Sequence, residues 1–126
     1  MEIKKSAEDY LETILMLKNQ TGAVRSIDIA NALSFTKPSV SVAMKKLREN
    51  GYIEMDKEGL ITLTASGLAI AQTIYERHEL ISGYLIALGV SEEVALEDAC
   101  RIEHVISQES FEKIKAHVQA KQRESK

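Results

Sequence analysis

Two short helix-prone segments, joined by a tight turn and followed at once by two β-prone runs, constrain this chain more than any other feature. The first segment covers residues 26–33, and the second begins at Pro38, where proline suits the first turn of a helix. The runs 52–55 and 60–64 are rich in β-branched and apolar residues and flank a polar turn, which indicates a β-hairpin. The order helix, turn, helix, hairpin predicts a winged helix-turn-helix.

Helical patterns surround this unit on both sides. Ser6 is a suitable N-cap for a first helix, and Asn50-Gly51 is a suitable end for the helix that begins at Pro38. Apolar spacing predicts four further helices, at about Ala7–Asn19, for about twenty residues after Gly67, from Ser91 to about Ser107, and at about Glu109–Ala120. We therefore predict a mainly α fold, with a winged helix-turn-helix and small β-hairpin wing in residues 1–63 and a helical domain in residues 64–126.

Length and composition fit a small globular protein that associates with itself. Each half of a chain of 126 residues would be marginal alone, so dimerisation is a natural source of buried surface. The first residues are not followed by an apolar signal segment, and no run approaches eighteen apolar residues. The single cysteine, Cys100, fits a reducing compartment. These features predict a cytoplasmic homodimer with no membrane partner.

Charge is unevenly distributed, although the net charge is −3. Residues 34–51 carry four basic side chains and one acidic one, which suits a helix that lies in a DNA groove while the preceding helix supports it. A solvated face of a protein-interaction domain is the alternative interpretation. The candidate DNA contacts, which offer cations for phosphates, small hydroxyls, and a methyl-bearing side chain for thymine, are Arg25, Thr36, Lys37, Pro38, Ser39, Ser41, Val42, Lys45 and Lys46.

Six side chains on three predicted helices could hold a metal. Two carboxylates lie three residues apart on the first helix, three donors share one face of a later helix, and one histidine interrupts the long apolar pattern. Each has an ordinary structural role when it is considered alone, such as helix capping or core packing. Together they suit a divalent first-row transition metal: Asp9, Glu12, His78, Cys100, Glu103 and His104.

Four stretches of the sequence resemble the diphtheria toxin repressor family: residues 7–14, the proline-led helix, residues 77–80 and residues 98–104. The overall length resembles the manganese transport regulator branch, which lacks a third, SH3-like domain. The resemblance implies a dimer that binds a palindromic DNA operator only when metal is loaded, with the six residues above as ligands. It departs from the manganese branch at Cys100, where that branch has glutamate and the iron-responsive branch has cysteine.

These features together predict a metal-dependent repressor that controls metal homeostasis. The cofactor expected is Mn²⁺ or Fe²⁺, while the thiolate also admits Co²⁺, Ni²⁺ or Zn²⁺, and one or two ions are possible. A divalent cation would bridge the two halves, because Asp9, Glu12 and Glu103 would otherwise repel one another. Bridging would set the distance between the two DNA-reading helices of the dimer.

Three other functions compete with this prediction. A winged-helix regulator could sense oxidants through Cys100, since a cysteine near an acid and a histidine can become a thiolate. A metal-independent interaction module would retain no divalent ion. A small metalloenzyme is disfavoured, because the chain has no glycine-rich phosphate loop and no nucleophile elbow. We therefore expect no enzymatic activity and no small-molecule substrate.

Overall fold

The computed structural model describes residues 5–124, which form a mainly α fold with a two-stranded wing. The described chain divides into two compact units, one ending at Thr73 and the other starting at Ile74. The predicted fold class is confirmed. Its elements are α1 (Lys5–Thr21), α2 (Ser26–Leu33), α3 (Lys37–Glu49), β1 (Ile53–Met55), β2 (Ile61–Leu63), α4 (Ala65–Ala87), α5 (Glu92–Ile102) and α6 (Gln108–Glu124).

The first unit packs α1, α2, α3 and the wing around one apolar core. The buried side chains come from every element of the unit, and among them are Leu11, Ile29, Val40, Met44 and Ile61. α2 therefore supports α3 through a shared core, because both helices bury one apolar stripe and leave the other face in solvent. This arrangement fixes the orientation of α3 within the unit.

The wing is an antiparallel hairpin whose turn is organised by Asp56. Its Oδ1 atom accepts the backbone N–H groups of Glu58 and Leu60, each at 2.9 Å, and Gly59 has a φ of 82°, which glycine adopts without strain. Strand β2 is also tied to the segment before α2, since the N–H of Ile61 donates to the carbonyl of Val24 at 2.8 Å. The base of the wing is thus continuous with the helical core.

The helix boundaries differ most clearly from the sequence prediction at three places. Ser6 lies inside α1 rather than capping it, since the described helix already includes Lys5. α6 continues to Glu124, past the predicted end, and α5 ends at Ile102, five residues before the predicted end. α5 ends early because the guanidinium of Arg77 binds backbone carbonyl groups beyond it, so tertiary hydrogen bonds replace the helical ones.

The second unit packs the later part of α4 against α5 and α6. Its buried apolar side chains are Ile74, Ile81, Ala95, Ala99 and Phe111. α4 ends at Ala87, about twenty residues after Gly67 as the apolar spacing predicts, and the next residue, Leu88, is 64% exposed. Among residues 5–124 no helix has the length and apolar character that crossing a membrane requires.

Candidate functional site

Glu103 is the centre of a cluster of potential metal ligands in the second unit. Its side chain is fully buried directly after α5, although a carboxylate is costly to remove from water without a compensating partner. One carboxylate oxygen, Oε2, lies 2.8 Å from Nδ1 of His78, which projects from α4. The other, Oε1, lies 3.3 Å from Nε2 of His104.

Cys100 adds a sulfur donor to the same cluster. One ligand atom from each of Cys100, Glu103 and His104 lies within 4.8 Å of the others. The prediction that all three lie on one helix is wrong, since only Cys100 belongs to α5. Glu103 nevertheless keeps helical backbone angles and donates its N–H to the carbonyl of Ala99 at 2.9 Å, so the three side chains still converge.

The cluster has the properties that a divalent cation requires. Within residues 5–124, Oε1 of Glu103 accepts no hydrogen bond that would offset its burial. Glu103 is shared by two groups of donors, one with the Cys100 sulfur and the His104 imidazole and the other with the His78 imidazole. First-row transition metals accept such sulfur, oxygen and nitrogen donors. These residues therefore fit a metal cofactor, and His78, Cys100, Glu103 and His104 are the side chains of this unit that would hold it.

The two remaining predicted ligands lie on α1, in the first unit. Asp9 is half-buried and Glu12 is buried at 7% exposure, so neither is the solvated carboxylate that a surface helix normally shows. They are separated by one turn of helix, which places both on one face. Their participation in a metal site stays a prediction.

The nine predicted DNA contacts are all exposed in the first unit. Val42 is 56% exposed, which is unusual for an apolar side chain in the middle of a helix and leaves its methyl groups accessible. Thr36 caps α3: its Oγ1 accepts the N–H of Ser39 at 3.3 Å, and the two hydroxyl groups lie 2.8 Å apart. Nε of Arg25 donates to the carbonyl of Glu58 at 3.3 Å, which places this cation beside the wing turn.

Two residues with evident roles were missed by the sequence analysis. Arg77 binds the segment that carries Glu103, through contacts that no local pattern indicates. Phe35, in the turn before α3, packs edge-on against Tyr10 of α1 with ring centroids 5.9 Å apart. Burial raises the pKa of the Tyr10 hydroxyl, so this ring is neutral at pH 7. The apolar periodicity of α1 indicates that Tyr10 faces the core, but it does not indicate Phe35 as the partner.

A winged helix-turn-helix with an exposed basic α3, joined to a helical unit that carries a Cys/Glu/His cluster, defines a metal-responsive DNA-binding protein. Comparison with known families agrees. Residues 2–60 match the family described as "Iron dependent repressor, N-terminal DNA binding domain", and residues 64–124 match "Iron dependent repressor, metal binding and dimerisation domain". The chain belongs to the iron-dependent repressor family, which confirms the resemblance found in the sequence.

Transcriptional regulators are among its similar proteins. The transcriptional regulator MntR of Escherichia coli O6:H1 is 37% identical over 112 residues, which cover 89% of this chain and 72% of that protein. An uncharacterized HTH-type transcriptional regulator of Methanocaldococcus jannaschii is 35% identical over 90% of this chain and 92% of its own length.

A solved structure described as a manganese-dependent transcriptional repressor in complex with manganese superposes with a TM-score of 0.81 at 27% identity. The superposed region covers 90% of this protein's chain but only 52% of the chain of the solved repressor. This chain therefore spans about half the length of the solved manganese regulators that it matches. The shared part includes both family domains.

Proposed function

We propose that the chain is a metal-dependent transcriptional repressor that controls divalent metal homeostasis. The single observation that carries this proposal is the buried Glu103 carboxylate, which has His78, Cys100 and His104 around it. The match to a metal-binding and dimerisation domain supports it, as does the exposed basic α3 of the other half. We place the boundary between the two functional halves at residues 63 and 64.

Asp9 and Glu12 complete the donor set in this proposal. They belong to the DNA-binding half, whereas Glu103 belongs to the dimerisation half, and three carboxylates brought together repel one another. A bound divalent cation supplies the positive charge that makes their approach favourable. Asp9 and Glu12 then hold the position of α1, and the shared core transmits that position to α3.

The exposed residues of α3 and the wing turn bind double-stranded DNA. Lys37, Lys45, Lys46 and Arg25 neutralise phosphates, while Ser39, Ser41 and Val42 reach base edges in the major groove. In a two-fold dimer, closure of the two halves sets the separation of the recognition helices near the roughly 34–36 Å between successive major grooves. The operator is accordingly a palindrome. The protein acts in the cytoplasm, with no catalytic reaction and no small-molecule substrate.

Cys100 determines which metals compete for the site. Mn²⁺ prefers the oxygen donors that Asp9, Glu12 and Glu103 offer, while the thiolate favours Fe²⁺, Co²⁺, Ni²⁺ or Zn²⁺. Solved structures that this chain resembles are described as manganese regulators, which supports Mn²⁺ as one effector. Because Cys100 offers a sulfur ligand in place of an oxygen ligand, we propose a site that responds to Fe²⁺ as well as Mn²⁺.

Operator binding under anaerobic conditions tests the proposal. The probe is a DNA duplex selected from a random pool by the Mn²⁺-loaded chain, and binding is measured by fluorescence anisotropy with Mn²⁺, Fe²⁺, Co²⁺ and Zn²⁺ in turn. We expect at least one of these ions to tighten binding by about 5–150-fold, the range of typical allosteric coupling. Equal affinity with and without every ion would contradict the proposal.

The Cys100→Ser variant separates metal sensing from oxidant sensing. A metal sensor keeps a metal-dependent increase in operator affinity when sulfur is replaced by oxygen, although the order of metals changes. An oxidant sensor loses its response to peroxide and shows no metal dependence before or after the substitution. The same anisotropy assay, run with and without peroxide, distinguishes the two.

A further inference from the structure

The guanidinium of Arg77 holds the turn that follows α5. Its Nη1 atom donates to the carbonyl oxygens of Glu103 and Ile106, each at 3.1 Å. Its Nη2 atom donates to Oε1 of Gln108 at 2.8 Å. The same group lies 5.5 Å from the centre of the Phe111 ring, which fixes its plane from one side. Arg77 therefore binds Glu103 at the beginning of the turn, Ile106 near its end, and Gln108 in the helix that follows it.

This turn needs an external donor. It covers residues 103–107, between the end of α5 and the start of α6, where no regular helix pairs the backbone carbonyl groups. Buried carbonyl groups without partners are costly, and the planar guanidinium, which presents several N–H groups at fixed angles, can satisfy two of them at once. The turn carries two residues of the ligand cluster, Glu103 and His104.

Arg77 and His78 are neighbours on α4, and both bind Glu103. His78 contacts the Glu103 carboxylate at 2.8 Å, while Arg77 contacts the Glu103 backbone carbonyl at 3.1 Å. A metal ligated by His78 and Glu103 would replace the first contact, since the same two atoms would then face the ion. The second contact does not involve a ligand atom, so it persists in either state.

We propose that Arg77 is the positioning residue of the metal centre: it keeps Glu103 and His104 aimed at the ion without touching the ion itself. This inference rests on the proposed function and adds one residue outside the ligand set. Such outer contacts typically change metal affinity by about 10–100-fold when they are removed, because the ligands must then be ordered during binding.

A second contact between α4 and α6 provides the matched control. Nζ of Lys115 lies 2.6 Å from Oε1 of Glu76, one residue before Arg77 on the same helix. The hydrogen bond to Glu76 raises the pKa of Lys115, so this amine stays protonated at pH 7. It joins α4 to α6, as Arg77 does, but its hydrogen bond is to a side chain of α4 and not to the turn that carries the ligands. Lys115→Ala therefore reports on the packing of the two helices alone.

The test is a Co²⁺ titration of the full chain and its variants, followed by visible absorption. Co²⁺ reports affinity through the titration curve, and its spectrum reports ligand geometry, including the charge-transfer band of a Cys100 thiolate. We expect Arg77→Ala to lower Co²⁺ affinity about 10–100-fold and to change the spectrum. Arg77→Lys should have an intermediate Co²⁺ affinity, since an ammonium group cannot reproduce the planar arrangement of the guanidinium N–H groups. Lys115→Ala should match the wild type in affinity and spectrum.

Three outcomes overturn the inference, and they differ in what they imply for the proposed function. If the wild type binds Co²⁺ while Arg77→Ala keeps the wild-type affinity and spectrum, Arg77 is not a positioning residue and the proposed function stands. If the wild type itself binds no Co²⁺, the inference fails, and the proposed function fails with it only if Mn²⁺, Fe²⁺ and Zn²⁺ also leave operator affinity unchanged. Should Arg77→Ala not fold, Gln108→Ala removes one contact of the guanidinium, and unchanged Co²⁺ affinity in both Gln108→Ala and Arg77→Lys overturns the inference equally.

Discussion

Replacing Glu103 by glutamine should separate the stability of the metal-free protein from its stabilisation by metal. Glutamine keeps the shape of the side chain and can still accept a hydrogen bond from His78, but it removes the buried charge. Because the carboxylate is fully buried, its charged form carries a desolvation cost that glutamine avoids. We expect the free energy of unfolding of the metal-free Glu103→Gln variant to be higher than that of the wild type, or to lie within about 1 kcal/mol of it.

The metal-loaded wild type should gain stability that this variant lacks. A ligand at 100 times its dissociation constant stabilises the native state by about 2.7 kcal/mol. An unfolding entropy of about 2.1 cal/mol/K per residue, over 126 residues, converts this gain into a rise in melting temperature of about 10 °C. Glu103→Gln should show a rise of less than about 2 °C at the same metal concentration.

Differential scanning calorimetry with and without Mn²⁺ or Co²⁺ measures both quantities. Glu97→Gln is the control, since Glu97 is an exposed carboxylate on the neighbouring α5, and it should keep the full increase. A Glu103→Gln variant whose melting temperature rises with metal as much as that of the wild type would refute the assignment of Glu103 as a ligand.

Three further predictions address selectivity, DNA binding and folding. Cys100→Glu should raise the affinity for Mn²⁺ relative to Zn²⁺ about tenfold, measured by competition titration, and an unchanged ratio would exclude Cys100 as a ligand. Lys45→Ala and Lys46→Ala should each lower the slope of log affinity against log salt by about one, for any DNA sequence; an unchanged slope would place these lysines away from phosphates. Gly67→Ala should destabilise the fold by about 3 kcal/mol in urea unfolding, since a Cβ atom would overlap the carbonyl oxygen of Tyr52. If Gly67→Ala is as stable as the wild type, the prediction is wrong, and α4 can move away from Tyr52 at little cost.

The DNA-binding half could be predicted well because its signals are local. The bounds of α2, the proline in the first turn of α3 and the polar turn of the wing follow from residues within a few positions of one another. The capping role of Thr36 is also local, although the sequence analysis assigned its hydroxyl to DNA alone. Local rules therefore describe most of this unit.

The candidate metal centre could be predicted in composition but not in architecture. The spacing of Cys100, Glu103 and His104 predicted that these side chains lie close together, and they do, yet α5 ends before two of them. Its end depends on Arg77, whose carbonyl partners lie 26 and 29 residues further along the chain. No periodicity within a single helix contains that information, because it arises only when α4 packs beside the turn.

The central claim is that carboxylates of α1 act with the Cys/Glu/His cluster on one cation or a pair, and Asp9→Ala tests it most directly. The measurement is the operator affinity of this variant by fluorescence anisotropy, with and without Mn²⁺, beside the wild type. We predict that Asp9→Ala keeps its fold and its dimer and binds the operator with the same weak affinity in both conditions. A variant whose operator affinity rises with Mn²⁺ as much as that of the wild type would contradict the claim.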